Sequence, residues 1–207
     1  METDAEPIET VGRVAWSKTV LSPSGRDEGG VGVEFLGATD ESRAALESYL
    51  NFSGTLGGGT FSAGLREQIA MAAAGANSCE YCAAAHTAIG KGAGVDGGEL
   101  TKSLDGEPTD PKAAAAVRLT RILVEKRGFA SDEDIRDFKA AGFDDGQVIE
   151  LVANVALNIF TNYLNHIADT EIDFPVVRTG SAAAALPGQR ALSEKLADGE
   201  HRWQIEE

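Results

Sequence analysis

One run of the chain combines residue types and spacings that could do chemistry together: Glu67, then Cys79-Glu80-Tyr81-Cys82, then His86. Two cysteines three residues apart at a helix start lie about 60° apart around the axis, close enough to join as a disulfide. Cys79 falls in the first turn, where unpaired backbone amides and the positive end of the helix dipole favour a thiolate. Cysteine pairs of this spacing are where thiol pKa values are commonly depressed. His86 lies one turn beyond Cys82 on the same face, so a neutral imidazole there can take a proton from Cys82 or pass one through water. Glu67 belongs to the preceding helix. If the two helices pack antiparallel about the Gly75–Ser78 corner, its carboxylate returns to orient His86 or to serve as the terminal base. Ala83, Ala84 and Ala85 are small and leave room for a substrate or a close helix.

The same residues admit other readings. Two cysteines in an alanine-rich helix could be buried and inert. A zinc site built on Cys79, Cys82 and His86 lacks an obvious fourth ligand, though Glu67 or His166 could serve. A c-type haem needs histidine directly after the second cysteine, and that residue is Ala83. Gly92, Gly94 and Gly97 match the dinucleotide fingerprint in letters only, because they follow a helix and not a strand. His166 and His201 have no chemistry beside them in the sequence. No metal and no cofactor is expected.

The elements that must hold these residues read as helices. Residues 1–38 lack helical periodicity and are expected to form an extended arm with at most a weak hairpin. Thr39 can cap a short helix ending near Leu50, followed by a loop from Asn51 to Thr60. A helix from about Ser62 to Ala74 follows. Gly75-Ala76-Asn77-Ser78 breaks it, and Asn77 or Ser78 can cap the helix carrying the cysteines, which runs to about Lys91. Asp96 can start a short turn of helix to Leu104. Asp110 before Pro111 is a strong helix start, and that helix ends at Gly128 after Lys126 and Arg127. Ser131 begins a capping-box-like start. The last helix, from Asp144, carries one apolar face through Val148, Leu151, Val152, Val155 and Ile159. The expected architecture is an all-α domain of about six helices over residues 39–175, with a C-terminal tail, 176–207, that holds a further helical stretch around Ala182–Ala197. An echo runs at an offset of 83: Glu67, Cys79, Cys82 and His86 fall on Glu150, Asn162, Asn165 and Asp169.

Composition sets the outer bounds. The chain has 207 residues, with 43% hydrophobic and 25% charged side chains, which is the composition of a folded domain. Lys and Arg number 18 against 33 Asp and Glu, a net charge of −15. A surface that acidic repels phosphate backbones, so no nucleic-acid partner is expected. The longest apolar stretch, Val148 to Phe160, contains Glu150, Asn154 and Asn158 and falls far short of a membrane span, so no membrane partner is expected either. The acidic start, Met1 to Glu9, has neither the basic nor the apolar segment of a secretory signal, and a reducing cytoplasm is the expected setting.

The motif of Glu67, Cys79, Cys82 and His86 resembles the core of the alkylhydroperoxidase D / carboxymuconolactone decarboxylase superfamily, over about residues 40–175. Ala141-Gly142-Phe143-Asp144-Asp145 and Asp173-Phe174-Pro175 are similar to its peroxidase-related branch. The resemblance implies an all-α fold built from helical hairpins, usually in a homo-oligomer. It also implies a thiol-dependent peroxidase reducing hydroperoxides, with a dithiol reductant as its second partner. Cys82 would be the peroxidatic thiolate, Cys79 the resolving cysteine, and Glu67 with His86 the proton relay. Well-studied members carry a second histidine where this chain has Tyr81, a phenol that can donate a hydrogen bond but is a poor base near neutral pH. Two alternatives stand beside this one. One is a redox-sensing or stress-related oligomeric protein with weak turnover. The other is a metal-free decarboxylase or isomerase using Glu67 and His86, although the decarboxylase branch generally lacks the cysteine pair.

Overall fold

The computed structural model of the protein describes residues 11–13, 20–21, 27–28, 34–36, 40–168 and 170–179. Among them are seven helices: α1 (Asp40–Gly57), α2 (Ala63–Asn77), α3 (Glu80–Gly92), α4 (Gly97–Asp105), α5 (Pro111–Glu125), α6 (Asp132–Ala140) and α7 (Asp145–Ala168). The domain is all-helical, as expected, with seven helices in place of about six. The stretch after Asp96 is a full helix: the Asp96 side chain accepts from Gly98 and Glu99, and Gly106 closes α4 in a left-handed conformation at φ 96°. In the arm, β1 (Val11–Arg13) pairs antiparallel with β4 (Glu34–Leu36), and β2 (Val20–Leu21) with β3 (Asp27–Glu28), so two short ladders stand where at most a weak hairpin is expected. His201 and the helical stretch expected around Ala182–Ala197 lie outside the described residues.

Two helix boundaries differ from the sequence expectation, for physical reasons. α1 runs through Asn51 to Gly57 instead of stopping near Leu50. Its weak helix formers are held by packing: Leu56 is buried, Tyr49 stacks on Phe160 of α7, and Thr55 Oγ1 bonds back to the Asn51 carbonyl. α2 does not break at Gly75 but continues to Asn77. Gly75 is there for approach. A Cβ at this position would collide with the carbonyl oxygen of Leu104, which itself accepts from Arg121 Nη1 at 3.0 Å.

α2 is the hub, packed against α3, α4, α5 and α7. Its residues Ile69 to Ala74 are fully buried, and five small or slender side chains in that run let neighbouring helices come close. On one side Ile69 joins Phe61, Leu119, Phe138, Phe143 and Leu151. On the other, Met71 and Ala74 pack with Cys79, Cys82, Leu100 and Leu104. Gly90 of α3 repeats the Gly75 device, since a Cβ there would sit 2.6 Å from Leu100 Cδ2 and 3.3 Å from Glu67 Cβ.

α7 meets the core through Val148, Leu151, Val155 and Ile159, while Val152, expected on that face, is exposed. The place beside the apolar row is taken by buried Asn154, Asn158 and Asn162. The first two satisfy their amide groups within the helix, on the carbonyls of Glu150 and Asn154. The 83-residue echo is therefore no structural repeat: Glu67 and Cys79 sit on two helices across a corner, whereas Glu150 and Asn162 lie on one unbroken helix.

Glu150 fastens the loop before α2. Its carboxylate accepts from Thr60 N at 3.0 Å, Thr60 Oγ1 at 2.6 Å and Phe61 N at 2.9 Å. Partial burial pushes its pKa up, but these hydrogen bonds and the Arg66 charge outweigh burial, and the net shift is downward from 4.5. The stability it adds is complete above that ordinary value and is lost as pH falls through the lowered one. Glu150→Gln is expected to cost about 1–2 kcal/mol near neutral pH. In denaturant titrations at pH 7 and pH 4, the gap between the variant and the parent protein should narrow at the lower pH.

Candidate active site

The corner between α2 and α3 sets the geometry of the cysteines. Ser78 takes the left-handed conformation (φ 58°, ψ 37°) and ends α2, with its N–H on the carbonyls of Ala74 and Gly75. Cys79 is then the N-cap of α3, a role expected of Asn77 or Ser78: its sulfur accepts from the Cys82 N–H at 3.4 Å. Asn77 instead donates to Asn162 Oδ1 at 2.8 Å and ties the corner to α7. Cys79 and Cys82 form a disulfide, with Cα atoms 5.3 Å apart. Both are buried, at 1% and 3% exposure, so the sulfurs lie under cover and not on an open surface.

The antiparallel return of α2 against α3 brings Glu67 to His86, with Oε2 2.7 Å from Nδ1. Both side chains are partly buried. With the carboxylate ionised, Nδ1–H is the donor of this bond and Nε2 is the ring nitrogen left outside it. Gly90 makes this contact feasible, because the bare backbone of α3 rests against Glu67 Cβ. The three alanines between Cys82 and His86 are buried, so the room they leave is filled by neighbouring helices and not by an open pocket. Among the described residues no group of three or more His, Cys, Asp or Glu side chains is placed to hold a metal ion.

The segment after α7 closes over this end of α3. Phe174 meets the Tyr81 ring edge-on at 6.0 Å, Val177 packs on the Met71–Cys82 cluster, and Arg178 Nη1 bonds Glu80 Oε2 at 2.6 Å. Tyr81, expected as a supporting residue, thus has an aromatic neighbour in that cover. His166 is exposed. Sequence reading did not single out Asn165, whose Nδ2 lies 3.3 Å from Cys82 Sγ. The echo at offset 83, which set Asn165 opposite Cys82, was the one signal that touched it.

Residues 43–125 match the model of the carboxymuconolactone decarboxylase family. No curated protein matches the chain. Among solved structures, a peroxidase-related protein from Silicibacter sp. TM1040 is 18% identical, with a TM-score of 0.58 over 62% of this chain and 70% of that one. A second peroxidase-related protein, an alkylhydroperoxidase AhpD core from Ralstonia eutropha JMP134, is 21% identical, with a TM-score of 0.58 over 65% and 71%. A Cys→Ala variant of the debrominase Bmp8 in complex with 2,3,4-tribromopyrrole is 16% identical, with a TM-score of 0.57 over 75% and 78%. At these identities the likeness is one of fold. No described helix is long and apolar enough to cross a membrane. The helical domain shares the fold of the alkylhydroperoxidase core, and within it residues 43–125 are similar to the carboxymuconolactone decarboxylase family.

Proposed function

We propose that the protein is a thiol-dependent peroxidase that reduces hydroperoxides through the Cys79–Cys82 pair. The observation that carries this reading is the 2.7 Å contact of Glu67 with His86 on the helix that bears the pair. In the reduced state the Cys82 thiolate attacks the O–O bond. A sulfur–oxygen bond forms, the alkoxide leaves, and a proton held at His86 Nε2 converts it to an alcohol. The Cys79 thiolate then displaces hydroxide from the Cys82 sulfenic acid, giving water and the disulfide. A dithiol reductant restores both thiols and becomes a disulfide itself. The cycle needs a reducing compartment, for which the cytoplasm is the natural setting.

Reduced protein should consume one equivalent of an organic hydroperoxide and lose two thiols without forming a covalent dimer. Cys79→Ser should consume one equivalent and stop at a sulfenic acid, and Cys82→Ser should not react. Faster labelling of Cys79 than of Cys82 by a sulfenic-acid probe in these variants would reverse the two roles. Activity surviving in the doubly substituted protein would instead favour chemistry by Glu67 and His86 alone.

Glu67→Gln should slow peroxide reduction on the order of 10²-fold, with little change in folding. His86→Ala should act alike, and the double variant should be little worse than either, because the two residues share one relay. Full activity in Glu67→Gln, measured by peroxide consumption, removes the carboxylate from the site.

The burial of both sulfurs favours one rival, a redox sensor with slow turnover. Val177 packs on the cluster that holds both sulfurs, so displacement of residues 170–179 on reduction would open a way for peroxide to Cys82. Oxidation of the reduced protein at the rate of an ordinary free thiol would select the sensor.

The protein is further proposed to be a homo-oligomer. Ile149, Val152, Phe160, Tyr163 and Ile167 form an exposed row on α7, suited to a second copy of the chain. Light scattering at micromolar concentration should give a mass at least twice 21.6 kDa.

A further inference from the structure

Asn165 stands one turn from the end of α7, half-buried, with Nδ2 3.3 Å from Cys82 Sγ. A disulfide sulfur has no proton to give, so this contact needs an N–H donor, and the amide must present its nitrogen to the sulfur. Oδ1 then faces Thr170, whose hydroxyl donates to it at 2.8 Å. The Thr170 N–H returns to the Asn165 carbonyl at 3.3 Å. The amide is thus held from both sides: Thr170 fixes which way it points, and the sulfur receives its N–H.

We propose that Asn165, oriented by Thr170, stabilises the Cys82 thiolate. This rests on the peroxidase reading only for its use, since the property itself belongs to the reduced protein with or without peroxide. A neutral thiol is a weak acceptor, whereas a thiolate makes a charge-assisted bond roughly twice as strong as a neutral one. A donor that favours the charged form lowers the pKa. The contact is already made in the disulfide state. When a dithiol reduces the bond, the electron pair left on Cys82 therefore meets a donor in place.

Other titratable groups lie on the elements packed around this sulfur. His86 and Tyr81 lie on α3 itself. Glu80, paired with Arg178 of the covering segment, sits at the start of α3. α2 brings Glu67, bonded to His86. α7 adds His166 beside Asn165, and α4 contributes apolar Leu100 and Leu104. Among the side chains whose hydrogen bonds are described, the Asn165 amide is the one that reaches the Cys82 sulfur.

The test uses the full-length protein in a Cys79→Ser background, so that one thiol titrates. Thiolate absorbance and the pH profile of iodoacetamide alkylation are followed together. Asn165→Ala should raise the Cys82 pKa by about one unit, which lowers alkylation about tenfold at pH values below that pKa. Thr170→Val, nearly isosteric and outside the helix, frees the amide to turn and should move the pKa in the same direction by less. An unmoved Cys82 pKa in both variants overturns the proposal, whatever happens to stability. A pKa raised in both, in a protein that does not reduce peroxide, upholds the thiolate donor and overturns only the peroxidase reading.

Discussion

Close backbone approach at two glycines is the constraint on which the rest depends. At Gly75 the carbonyl of Leu104 fills the space a side chain would need, and at Gly90 Leu100 and Glu67 do the same. Helices packed side chain to side chain keep their axes 8–10 Å apart, and small residues draw them to the near end of that range. Here this brings α3 and α4 onto α2 closely enough for a short glutamate to reach a histidine on the next helix. A larger residue at position 90 would press on Glu67 directly, so the candidate proton relay depends on the absence of a side chain as much as on the presence of two.

α7 supplies the second support. Its inward face is mixed: Leu151 and Val155 join the core, while Glu150, Asn162 and Asn165 each hold a different part of the chain at the other end of a hydrogen bond. Glu150 grips the loop before α2, Asn162 the corner after it, and Asn165 the sulfur of Cys82. Polar groups in such places are costly unless bonded, so each fixes the register of α7 against α2 and α3 more narrowly than apolar packing alone.

The parts of this arrangement legible in the sequence are those whose cause is local. Asp110 before Pro111, the Ser131 capping box and the spacing of Cys79, Cys82 and His86 act within a turn or two of helix and leave a pattern in adjacent residues. What was hidden depends on partners far along the chain. Gly75 carries the same letter whether it breaks a helix or admits a carbonyl, and only Leu104 decides between them. The weak helix formers between Asn51 and Gly57 are overridden by packing on α7 that no propensity records. Asn165 looks like a solvated position near a helix end until the cysteine helix is laid beside it.

Cys79 is an unusual helix cap. Serine, aspartate or asparagine commonly fills that place and offers an oxygen of fixed character, whereas here the acceptor for the Cys82 N–H is a sulfur whose charge depends on its oxidation state. In the disulfide it is neutral and a poor acceptor. As a thiolate it becomes an anion at the positive end of α3, where the dipole and the free amides of the first turn hold it. The strength of this first-turn hydrogen bond is therefore tied to the charge on the Cys79 sulfur, since a thiolate there would accept more strongly than the neutral sulfur of the disulfide.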